Sequence, residues 1–72
     1  MIKFKLRVLL AMNETNQRKL AEKTGIREAT LSAMNKGTLK QLPLDVLEKI
    51  CKELHCQVGD LIEYIEDDEE KE

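Results

Sequence analysis

Between Gln17 and Lys40 the chain concentrates side chains that donate hydrogen bonds or neutralise negative charge: Gln17, Arg18, Lys19, Arg27, Thr30, Ser32, Lys36 and Lys40, with Glu28 as the acceptor among them. Ammonium and guanidinium groups neutralise phosphates, and an Arg fork matches guanine O6 and N7, so the mixture suits a nucleic acid. A second chemical group is Cys51, His55 and Cys56. Three soft ligands so close together raise a metal reading, but finger-type zinc sites need two separated ligand pairs. Cys51 also falls on an apolar helical stripe. A buried thiol, a helix-end imidazole and a turn thiol are therefore expected, with no metal and no cofactor. The single His, the lack of a nucleophile-and-base spacing and the lack of a glycine-rich phosphate loop argue against an enzyme.

These groups need elements to hold them, and the apolar spacing supplies helices. Leu6, Leu9 and Leu10 predict a first helix, broken at residues 13–16. Asn16 reads as the N-cap of a second helix over 17–24, with Leu20 and Ala21 inward. Gly25 ends it, because glycine enters the left-handed region without steric cost. A third helix runs from Arg27 or Glu28 to Asn35, with Leu31 and Met34 inward and a stop at Asn35-Lys36-Gly37. A fourth covers 44–54, inward through Leu44, Val46, Leu47, Ile50, Cys51 and Leu54. A last helix is expected over Val58 to Tyr64, burying Leu61. Ile2 and Phe4 alternate with Lys3 and Lys5, which suggests a tiny N-terminal strand, with residues 40–42 as its partner. The fold class expected is thus all-α, with five helices.

Helices two and three, meeting at a short turn with glycine, describe a helix-turn-helix. Leu20, Ile26, Leu31 and Met34 would fix the pair to the core, and Ala21 is small where the helices cross. The stretch from Gln17 to Gly37 resembles the DNA-binding unit of the Cro/cI-type (lambda-repressor-like, XRE) regulators of bacteria and phages. Residues 6–10 resemble that family's first helix, 44–51 its fourth, and 56–64 the ending of a compact single-domain branch. The resemblance covers residues 1–65 and implies the fold and double-stranded DNA as partner. Departures are visible. Arg27 stands where a Ser or Thr cap is usual, and Thr15 where a larger apolar residue often staples helix two. Glu14 and His55 stand where Gly or Asn is common, so both are expected in the left-handed region.

At 100° per residue, Leu31 and Met34 set the inner side of helix three, which places Ala29, Ser32, Ala33 and Lys36 opposite. Arg27 and Glu28 lie at its N-terminus, which the resemblance directs toward base edges. Arg27 could pair with guanine. Glu28 could accept from a cytosine amino group or simply complement the helix dipole as a first-turn acid. Ala29 and Ala33 suit thymine methyls, and Thr30 lies at the flank. The resemblance gives Gln17 a phosphate contact; the plain alternative is an exposed helix start. Arg18, Lys19, Lys36 and Lys40 are candidate phosphate neutralisers.

Seventy-two residues hold one thin core and no evident sensor, and two aromatics leave that core to aliphatic side chains. The net charge of −2 conceals an asymmetry. Residues 1–40 hold nine Lys or Arg against three Glu (+6), and residues 41–72 hold three Lys against eleven acids (−8). Residues 66–72 are expected to be a disordered acidic tail outside the domain, residues 1–65. No signal peptide is expected from the amino-terminal residues, no apolar run of membrane length occurs in the sequence, and two cysteines fit a reducing cytoplasm. The expected function is a sequence-specific regulator, a repressor acting by promoter occlusion, with no small-molecule effector evident. A homodimer on a pseudo-palindrome is expected, its interface formed by Val8 and Met12 or by Leu61, Ile62 and Tyr64. The rival is a protein-binding adaptor or the antitoxin of a toxin pair, on the strength of the apolar Val8 and Met12 pair and the acidic tail.

Overall fold

The computed structural model describes residues 1–66. In chain order they form β1 (Ile2–Phe4), α1 (Leu6–Met12), α2 (Gln17–Thr24), α3 (Glu28–Lys36), α4 (Leu44–Leu54), α5 (Val58–Leu61) and β2 (Ile62–Tyr64). The expected acidic tail, apart from Glu66, lies outside the described residues. Among the described residues no helix is long and apolar enough to cross a membrane.

The helix ends follow from local chemistry. Asn16 caps α2 by accepting from the Lys19 N–H at 2.9 Å. Gly25 closes α2 in the left-handed conformation, its N–H donating to the Ala21 carbonyl. The endings of α1, α3 and α4 share one pattern. Thr15, Thr38 and Cys56 donate their N–H groups back to the carbonyls of Leu10, Ala33 and Cys51 across a left-handed residue. That residue is Gly37 after α3, but Glu14 (φ 53°) after α1 and His55 (φ 53°) after α4, as their positions predicted.

The core is aliphatic. Leu6, Leu9, Leu10, Leu20, Ile26, Leu31, Met34, Ile50, Leu54 and Leu61 are buried, and Phe4 packs at the edge. Leu44 departs from the stripe expected of α4, at 79% exposed. It is the first helical residue after Pro43, and contact with the core begins only at Val46 and Leu47. Val46, Leu47 and Cys51 are half-buried.

Two expectations about the chain ends are corrected. β1 exists, but residues 40–42 do not pair with it. It runs antiparallel to β2, with Ile2 opposite Tyr64, Lys3 opposite Glu63 and Phe4 opposite Ile62. The last helix accordingly stops at Leu61 instead of continuing to Tyr64. A capping box starts it, the Gln57 N–H donating to Asp60 Oδ2 at 2.9 Å. The Leu61 carbonyl then accepts from the Lys5 N–H at 2.7 Å, and the amino group of Met1 donates to the Ile65 carbonyl at 2.7 Å. Alternation of apolar Ile62 and Tyr64 around Glu63 suits a strand, and the other terminus supplies its ladder.

Candidate nucleic-acid interface

The helix pair is held from beneath. Leu20 of α2, Ile26 of the turn, and Leu31 and Met34 of α3 are all buried, and Ala21 is half-buried against the same core. The turn is built by Thr24, whose hydroxyl donates to the Leu20 carbonyl at 2.7 Å and accepts from the Ile26 N–H at 3.2 Å. That closes α2 and carries the chain through the turn toward α3.

α3 begins at Glu28 with Arg27 as its N-cap in extended conformation. The Arg27 side chain makes no cap hydrogen bond, as its type foretold. Its carbonyl accepts from the N–H groups of Thr30 and Leu31. The guanidinium is thus spared any capping duty, on an exposed residue at the positive end of the helix dipole. Arg27, Glu28 and Ala29 are exposed together, and Thr30 is half-buried beside them.

The far side of α3 differs in part from the helical arithmetic. Lys36 is exposed, but Ser32 and Ala33 are half-buried. α3 packs against both α1 and α2, so more of its circumference is covered than one apolar stripe would cover. The exposed surface of α3 is concentrated at its first turn, with Lys36 at its end.

Gln17 opens α2 half-buried, its Oε1 accepting from Asn35 Nδ2 at 2.6 Å. The bond engages the amide oxygen and leaves the Gln17 NH2 group available to donate. Arg18 sits one residue on, and its guanidinium lies 3.9 Å from Glu22 on an exposed side of α2. Such a pair costs little to break. Lys19 is exposed on the first turn of α2. Lys40 is exposed in the segment after Gly37, outside the helix pair.

Asn35 and Thr24 are the positions that the sequence reading missed as parts of this site. In the sequence Asn35 shows only as part of a stop signal. It lies four residues after buried Leu31 and next to buried Met34, and a polar side chain beside a buried stripe calls for a partner. Thr24 carried no comparable signal, since its role exists only once the turn is formed. Among the described residues no group of three or more His, Cys, Asp or Glu could hold a metal ion.

The Cro/C1-type helix-turn-helix DNA-binding domain model matches residues 5–67. Over 62 residues, 86% of this chain and 74% of the relative, the sequence is 42% identical to YozG of Bacillus subtilis (strain 168), an uncharacterized HTH-type transcriptional regulator. Among solved structures, a protein of Bacteroides fragilis provisionally described as DNA-binding superposes with a TM-score of 0.74 at 32% identity, covering 88% of this chain and all of that one. The transcriptional regulator VanUg superposes with a TM-score of 0.76 at 28% identity, covering 92% of this chain and 87% of that one.

Proposed function

Because the chain belongs to the Cro/C1-type helix-turn-helix DNA-binding family, a family of transcriptional regulators, we propose that it is a repressor that reads an operator through α3 and blocks the promoter beneath it. One observation carries this reading. The N-cap and first turn of α3 present Arg27, Glu28 and Ala29 to solvent, while Leu31 and Met34, about one and two turns on, are fully buried. The helix is therefore anchored by one side and offered by its N-terminal end, which is how a recognition helix enters a major groove.

In this reading Arg27 pairs with guanine, and Glu28 accepts from a cytosine amino group or serves as the first-turn acid. Ala29 contacts a thymine methyl. Thr30, Ser32 and Ala33 flank the groove, and their partial burial gives them a smaller share than Arg27. Gln17, held by Asn35, donates to a phosphate, and Arg18, Lys36 and Lys40 neutralise others. Occlusion is the mechanism that follows most directly from a helix-turn-helix seated on an operator, and the role is binding rather than catalysis. A homodimer on a pseudo-palindrome suits the family symmetry. Its interface draws on Val8 (56% exposed) and Met12 (72%), one turn apart on α1. Leu61 is fully buried and drops out as an interface residue, whereas Tyr64 is 66% exposed.

The test is selection of sites from random duplex DNA with the purified protein, followed by titration across salt concentrations. An enriched, symmetric site and a steep salt dependence are expected, roughly −0.9 in log K per log salt for each phosphate contacted. Overlap of that site with a promoter, and loss of transcription from it in a purified system, would establish occlusion. No enriched site and a flat salt dependence would overturn the reading. They would favour the adaptor or antitoxin alternative, for which the exposed Val8 and Met12 are the supporting observation.

A further inference from the structure

The chain has two cysteines, and the fold sets them side by side at the end of α4. The Cys56 N–H donates to the Cys51 carbonyl at 3.0 Å, across His55 in the left-handed conformation. This is the helix ending in which the side chains flanking the turn meet. At the matching ends of α1 and α3 the flanking pairs are Leu10 with Thr15 and Ala33 with Thr38. Only after α4 are both members thiols. Standard bond lengths and the 3.0 Å hydrogen bond keep the two Cα atoms within about 6.9 Å of each other, inside the roughly 7 Å reach of a disulfide. Both residues are half-buried, so each keeps some access to solvent.

We propose that Cys51 and Cys56 are a thiol–disulfide modification site: a small-molecule disulfide oxidises them to an intrachain disulfide that staples the end of α4 to the turn leading into α5. One protein thiolate attacks the small disulfide, forms a mixed disulfide and releases one small thiolate. The second protein thiolate attacks the protein sulfur of that mixed disulfide and expels the other. Two protein S–H bonds and one small-molecule S–S bond are exchanged for one intrachain S–S bond and two small-molecule S–H bonds, and two electrons leave the protein. Burial first, then the neighbouring Cys51 thiol and Asp60, push the Cys56 thiol up to about 11. A thiol that resists ionisation is the weaker leaving group, which favours the closed disulfide once formed. The staple would brace a turn that His55 holds in a conformation costly for a side chain, and it lies outside the α2–α3 pair.

Incubating the full chain with oxidised glutathione, then reading intact mass and alkylation of free thiols, tests this. The expected product is a monomer lighter by about 2 Da with neither cysteine open to alkylation, and with a Tm raised by roughly 5 °C. Cys51→Ser and Cys56→Ser should each stop at a single glutathione adduct. Accumulation of adducts on the unsubstituted chain, a predominance of chain-to-chain disulfides, or a lowered Tm on oxidation would overturn the proposal. So would failure of both single variants to accept an adduct.

Discussion

Asn35 Nδ2 donates to Gln17 Oε1 at 2.6 Å, tying the last turn of α3 to the first residue of α2 across 18 positions of sequence. The proposed division of labour is that Gln17 offers its NH2 group as donor while Asn35 holds the amide in place. Asn35→Ala should weaken DNA binding by about 0.5–1.5 kcal/mol, the usual worth of one hydrogen bond. Gln17→Ala should cost at least as much, and the double variant less than the sum. Fluorescence anisotropy on the selected operator measures all three; strict additivity would count against the coupling.

Arg27 and Lys36 should separate by kind of effect. Arg27→Ala is expected to relax preference at one base position and cost about 1–3 kcal/mol there. Lys36→Ala should weaken all sequences alike and reduce the salt slope by about 1. Repeating the site selection and the salt titration with each variant distinguishes them.

The left-handed positions allow a signed prediction. Glu14→Gly and His55→Gly should each stabilise the fold by about 0.5–1 kcal/mol, because the side chain that disfavours φ near +53° is removed. Gly25→Ala should lose about 1 kcal/mol by the reverse logic. A Cβ there meets nothing within 4 Å, so the loss is one of backbone conformation and not of packing. Urea unfolding with unchanged m-values checks the set.

Leu31 and Leu44 should behave oppositely although both fall on apolar helical stripes. Leu31 is fully buried, and Leu31→Ala should cost about 2–5 kcal/mol, enough to unfold much of so small a domain. Leu44→Ala should change stability by less than about 0.5 kcal/mol. Thermal melts of the two variants decide it.

What the sequence determined by itself is whatever neighbouring residues enforce. The ends of α2 were legible because Asn16 and Gly25 act on backbone groups within four residues. Glu14 and His55 were legible as left-handed positions for the same reason. The burial of Leu20, Leu31 and Met34 followed from helical spacing, and that of Ile26 from its place as the apolar residue of the turn between them. The first-turn exposure of Arg27 and Glu28 could also be read from the point at which α3 begins. Tertiary structure alone decided the rest. β1 found its partner at Ile62–Tyr64, not at residues 40–42, because a ladder pairs segments regardless of their separation in the chain. That pairing ended α5 at Leu61. The half-burial of Ser32 and Ala33 required a second neighbour for α3 that no single-helix periodicity can report. Gln17 reached its partner in the same way. The chemistry of a carboxamide is local, but the 2.6 Å contact with Asn35 exists only because two helices cross.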